Sequence, residues 1–124
     1  MTTRITKPEA TTYTIDATDR TLGRVASEAA HALLGKRSVH FTKNIALPMT
    51  VIVENAAKLH LPTTRTKSKI YTRYTGFPGG LREMSMEEMI TKKGIEEVVK
   101  KTVDGMIPRN RLRAPRMKNL VVKA

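Results

Sequence analysis

Between residues 22 and 33 the apolar side chains fall into one register. Leu22, Val25, Ala26, Ala29, Ala30 and Leu33 stand at i, i+3, i+4, i+7, i+8 and i+11, a single stripe along an α-helix that has to be buried against a partner. Thr21 stands at the N-cap position and Gly35 at the C′ position, so both helix ends are marked. The flanking segments name the partner. YTIDA at 13–17 alternates and opens with a β-favouring aromatic, which predicts a strand. TVIV at 50–53 is β-branched without alternation, which predicts a strand buried on both faces, as in a parallel sheet. Strand, helix, strand restricts the chain to an α/β domain with a small, mostly parallel sheet. Gly23 lies in the first helical turn, where it lowers helix propensity. It predicts a close backbone approach there, to the sheet or to a phosphate at the helix N-terminus.

The remainder fits one domain. NAAK at 55–58 predicts a single helical turn, and Leu59, His60 and Leu61 a short third strand stopped by Pro62. Residues 67–74 have β propensity but high charge, which predicts a ribbon or exposed extension rather than a central strand. Ser85 and Glu88 form a capping-box pattern, so a helix starts at Met86 and runs to about Lys93, where Gly94 breaks it. A second helix follows, with Ile95, Val98, Val99, Thr102 and Val103 inside; it ends near Gly105, and Pro108 forbids extension. A short helical or irregular piece at 114–118 leads to a last strand at 120–122. With 124 residues the chain has room for one core. The expected domain is 1–124, with its core at about 13–122 and an N-terminal extension at 1–12.

Charge then points to the partner. The net charge is +12 and the pI about 10.4, an excess that self-repels unless a polyanion neutralises it. Residues 1–62 hold 8 Lys+Arg against 5 Asp+Glu, whereas residues 63–124 hold 15 against 6, so the basic excess lies mostly in the second half. Residues 63–82 and 105–124 contain no acid at all, the pattern of an electrostatic footprint. The absence of cysteine excludes disulfides, thiolate zinc sites and a Cys nucleophile. No apolar run approaches a membrane span, and the first residues lack a signal-peptide apolar region, so a cytoplasmic protein with no membrane partner is expected.

Catalytic patterns are weak. His31, His40 and His60 have no metal-ligand spacing, so neither metal nor cofactor is expected. Glu87, Glu88, Glu96 and Glu97 lie among lysines on helices, the pattern of a solvated face. Asp16 ends a strand beside a glycine-bearing helix, where α/β folds place sites, but an aspartate there also serves as a turn or cap. TGFPGG at 75–80 lacks the spacing of a P-loop or a dinucleotide fingerprint. Pro78-Gly79 alone would make a type II turn. Beside Arg73, Tyr74 and Arg82 the glycines also fit a loop pressed against a folded polyanion, with Tyr71, Tyr74 or Phe77 free to stack on an unpaired base. In the C-terminal segment, Met106, Ile107, Leu112 and Met117 are spaced to anchor the chain while the arginines project outward. No groove-reading motif is visible, so shape and phosphate recognition of structured RNA is the expected mode. The candidate RNA contacts are Arg24, Lys36, Arg37 and Lys43 around the first helix. To these are added Arg65, Lys67, Lys69, Arg73, Tyr74, Gly76, Gly79, Gly80 and Arg82 in the first acid-free window, and Arg109, Arg111, Arg113, Arg116 and Lys118 in the second.

Four blocks also resemble a known family. YTIDATDRTLGRVASEAAHALLGK, VIVENAAKL, YTRYTGFPGGLREMSMEEMI and VDGMIPRNRLRAPRMKNLVV are similar, in order, to segments of the bacterial large-subunit ribosomal protein thirteen family. NIALPM and PTTRTK stand where that family has acidic or glycine-containing loops, and Arg113 stands at a usual glycine. The resemblance implies a three-layer α/β/α domain with a four-stranded parallel sheet and basic loop extensions. It implies a structural constituent of the large ribosomal subunit, bound to its ribosomal RNA and to neighbouring ribosomal proteins, that supports early subunit assembly. It implies no catalysis and no small-molecule substrate. Two rival readings are a stand-alone RNA-binding regulator and a nucleotide-dependent enzyme built on Asp16 and the Gly23 helix start.

Overall fold

The computed structural model describes residues 10–124 apart from 40 and 42; His40 and the N-terminal extension up to residue 9 lie outside them. Strand β1 (Thr11–Asp16) leads through a tight turn into helix α1 (Leu22–Leu33), and strand β2 (Met49–Glu54) returns parallel to β1, Tyr13 opposite Val51 and Ile15 opposite Val53. A 3-10 turn (Ala56–Lys58) precedes helix α2 (Thr63–Ser68), then strands β3 (Ile70–Tyr74) and β4 (Leu81–Ser85). Helices α3 (Met86–Lys93), α4 (Ile95–Met106) and α5 (Arg113–Lys118) lead to strand β5 (Leu120–Val122), which joins the free side of β2. The two sheets are a parallel one of order β1-β2-β5 and an antiparallel β3-β4 hairpin.

The stripe of α1 does what its spacing requires. Val25, Ala26, Ala29, Ala30 and Leu33 are buried against Ile15, Val51, Val53, Leu120 and Val122 of the sheet, with Val99 and Val103 of α4 in the same core. Gly35 is the left-handed cap residue, φ +82, which favours glycine, and a Cβ there would lie 2.7 Å from Leu47 Cδ1, so the end of that side chain would have to shift. The N-cap half of the capping box at α3 is formed: the Glu88 amide donates to Ser85 Oγ at 3.3 Å. A smaller cluster of Met86, Met89 and Val98 attaches the hairpin, through Tyr71 and Met84, to α3 and α4.

Four expectations are corrected. The parallel sheet has three strands, not four. Residues 59–61 make only one bridge, His60 to Thr21, with the His60 amide on the Arg20 carbonyl at 3.0 Å; Pro62 has no N–H with which to extend it. Strand β2 is not buried on both faces. Met49, Val51 and Val53 are buried, but Thr50 and Glu54 are exposed and Ile52 half-buried, and Thr12, Thr14 and Asp16 of β1 are exposed on the same side. Among the described residues the helical packing therefore lies on one face of the sheet. Residues 63–68, where no helix was expected and an extended ribbon was to begin at 67, form α2, closed by the Thr66 and Lys69 amides on the Pro62 and Arg65 carbonyls.

Candidate nucleic-acid interface

The hairpin places two arginines directly opposite each other. In the β3-β4 register Arg73 faces Arg82, and Tyr71 faces Met84 on the same side of the ribbon. Like charges opposite each other destabilise a two-stranded ribbon. No ion pair of the described residues involves either arginine. A cavity of about 190 Å³ lies on this side, bounded by Tyr71, Arg73, Arg82, Met84, Lys93 and Lys101 among others, with Glu83 as its single acid. The ribbon's other side carries Ile70, Tyr74 and Leu81, each more than half exposed, and Phe77 at the tip is 74% exposed.

TGFPGG makes the hairpin turn. The Gly80 amide donates to the Phe77 carbonyl at 3.0 Å and the Thr75 amide to the Gly80 carbonyl at 3.2 Å. Gly79 follows Pro78 with φ +73, the geometry of a type II turn. Gly76 also has positive φ, and a Cβ at Gly76 or Gly79 would meet nothing within 4 Å. Gly80 differs: it is buried, and a Cβ there would collide with Thr75 Oγ1 and lie 2.9 Å from the Phe77 carbonyl oxygen. Its requirement is internal packing. Tyr71 is not a free stacking platform either. It is half-buried, with the Lys69 and Lys101 ammonium groups 5.7 and 5.5 Å from its ring centre. Burial pushes its phenol above the usual value, and the positive charge of Arg65 partly opposes this.

The other candidates divide by exposure. Arg24, Lys36, Lys43, Arg65, Lys67, Lys69, Tyr74, Arg109, Arg111 and Lys118 are exposed. Arg37 is also exposed but already has partners within the protein: it stacks on Tyr13 at 4.3 Å, donates to the Tyr13 hydroxyl, and lies 3.5 Å from Glu28, which also holds Arg20 at 2.6 Å. Arg113 pairs with Asp104 at 3.3 Å. Arg116 does not project outward. It is 2% exposed, its Nε has no hydrogen-bond partner, and no ion pair of the described residues includes it. The apolar anchors were expected to leave every arginine of this segment projecting outward, but α5 turns this side chain into the domain. Ile107 is the buried anchor of that segment; Met106 is 42% exposed. Sequence reasoning missed Lys93 and Lys101, because both sit in helical runs beside acids and read as solvated faces.

Asp16 serves the turn. Its Oδ1 accepts from the Thr18 amide at 3.0 Å, the Thr18 hydroxyl at 2.7 Å and Asn55 Nδ2 at 3.1 Å. These bonds, the Thr18 amide first, lower its pKa from the usual 3.8 to about 2. They tie the end of β1 to Asn55, which holds a left-handed conformation with φ 57. A carboxylate so occupied is a poor proton acceptor for catalysis. Among the described residues no group of three metal-ligating side chains converges, and no helix is long and apolar enough to cross a membrane.

Fold and surface together define a small basic α/β protein whose candidate site is a cationic ribbon and its surroundings. A family profile described as Ribosomal protein L13 matches residues 10–123. The large ribosomal subunit protein uL13 of Hahella chejuensis is 41% identical over 112 residues, 90% of this chain and 78% of that protein. Its counterpart from Geobacter sulfurreducens is 39% identical over 126 residues, covering 99% and 87%, and that from Chlamydia caviae 44% over 108 residues, covering 87% and 71%. The chain therefore belongs to the ribosomal protein L13 family, a family of large-subunit ribosomal proteins and not of enzymes.

Proposed function

We propose that this protein is a structural constituent of the large ribosomal subunit that binds the subunit's ribosomal RNA through the Arg73–Arg82 ribbon and the exposed cations around it. On this reading it helps fold that RNA during early assembly, in the cytoplasm, beside neighbouring ribosomal proteins. One observation carries the reading: two arginines are held opposite each other with no carboxylate of the described residues pairing them. A fold keeps such repulsion where an outside anion relieves it, and RNA phosphates provide anions at regular spacing. Gly76 and Gly79 keep the turn beside the arginines slim. Arg24, Lys36, Lys43, Arg65, Lys67, Lys69, Arg109, Arg111 and Lys118 extend the cationic surface, with Arg37 and Arg113 engaged chiefly in pairs within the protein and Arg116 turned inward.

The test is a double substitution, Arg73→Ala with Arg82→Ala. The reading expects opposite signs: the free protein unchanged or slightly more stable, and incorporation into large subunits reduced. The slope of log affinity against log salt should shrink by about 0.7–0.9 for each phosphate the variant no longer neutralises. Normal incorporation with an unchanged salt slope would remove the ribbon from the interface.

A further inference from the structure

A larger cavity, of about 540 Å³, opens where the first turn of α1 meets α2, β3 and the end of α4. Its volume is in the range of small-ligand sites. Leu22, Leu61, Met86 and Met106 form its apolar wall. Arg65, Lys69 and Lys101 stand around it beside Tyr71, and among the described residues no acid lines it and no ion pair involves those three cations. Both unexplained helical glycines of this chain, Gly23 and Gly105, border it. Each lowers helix stability, yet a Cβ at either would meet nothing within 4 Å, so neither serves internal packing. The sheet is thereby eliminated as the reason for Gly23.

We infer that this cavity receives one unpaired nucleotide turned out from the ribosomal RNA, its base or ribose against the apolar wall and its phosphate among Arg65, Lys69 and Lys101. The inference rests on the RNA-binding reading above and deepens it. An apolar interior with an unpaired cationic rim matches a nucleotide, which joins a flat hydrophobic base to an anion. An acidic protein segment matches the rim, but only a nucleotide carries the flat group and the anion in a single residue. The two glycines let the backbone of α1 and α4 approach that nucleotide without a side chain between. Arg65 and Lys69 continue into the hairpin, so an RNA strand on the Arg73–Arg82 ribbon lies near enough to supply the residue.

The experiment uses the full chain bound to large-subunit ribosomal RNA, read by base-specific chemical probing and by backbone cleavage protection. Gly105→Leu places a good helix former where its side chain fills the cavity; Lys69→Ala with Lys101→Ala removes two of the three cations. The wild type is expected to shield the base of at least one unpaired nucleotide. Gly105→Leu should expose that base again and weaken binding about tenfold, the worth of one stacked base, while backbone protection elsewhere persists and the melting temperature does not fall. The lysine pair should weaken protection of the same nucleotide. Base protection unchanged in Gly105→Leu overturns the inference and leaves the ribbon interface standing. An unchanged footprint with failed incorporation into subunits also overturns it and assigns the cavity to a protein segment. No footprint from the wild type would sink the RNA-binding reading itself.

Discussion

Replacing Arg116 by methionine should make the free protein more stable. The residue is 2% exposed and its Nε is buried without a partner. A buried polar group without a partner costs about 1–3 kcal/mol, and more when charged. Methionine has an unbranched, adaptable side chain of comparable reach that fills the same space without a polar atom. Relief of that cost sets the expected gain at about 1–3 kcal/mol. Unfolding entropy is about 2.1 cal/mol/K per residue. Over 124 residues that makes each kcal/mol worth about 4 °C, so the melting temperature should rise by about 4–12 °C. Calorimetry on wild type and Arg116→Met at one salt concentration reads this directly. Arg111→Met is the control, since Arg111 is exposed and its replacement lowers net charge equally; a surface change should stay within about 0.5 kcal/mol. An equal rise in both variants would mean that charge reduction, not burial, is responsible. A fall in Arg116→Met would show that the guanidinium is satisfied in the folded protein, and the reasoning would fail.

The turn glycines should separate. Gly80→Ala should lower stability by about 1–3 kcal/mol through the collision with Thr75 and the Phe77 carbonyl, whereas Gly79→Ala should cost only about 1 kcal/mol for its positive φ and chiefly weaken RNA binding; equal melting curves for wild type and Gly80→Ala would count against the turn geometry. Val99→Ala, at a fully buried core position, should cost about 2 kcal/mol without altering the salt slope of RNA affinity, as chemical denaturation and filter binding would show. Asp16 has a lowered folded pKa, so its contribution is complete above 3.8 and is lost as pH falls towards about 2. An acid titration of stability should therefore be flatter for Asp16→Asn than for wild type in that window, and superimposable curves would remove Asp16 from the turn.

What the sequence determined by itself was the set of elements with strong local signals. The stripe of α1 and its capping Gly35, the N-cap at Ser85, the break at Gly94 and the strand at 120–122 are all present, because spacing and backbone preference act over a few residues. The charge excess likewise identified the kind of surface, since it is independent of folding. Tertiary structure decided what depends on partners distant in sequence. It reduced residues 59–61 to a single bridge, left one side of β2 exposed where β-branched residues suggested burial, and turned Arg116 inward from a segment whose arginines were expected to project outward. It set Arg73 opposite Arg82, which requires the register of two strands joined by the turn at 75–80. And it brought Gly23 and Gly105, 82 positions apart in the chain, to the edge of one cavity with Lys101. Helix spacing can show that each glycine is costly, but only the packing of α1 beside α4 shows that they face the same space.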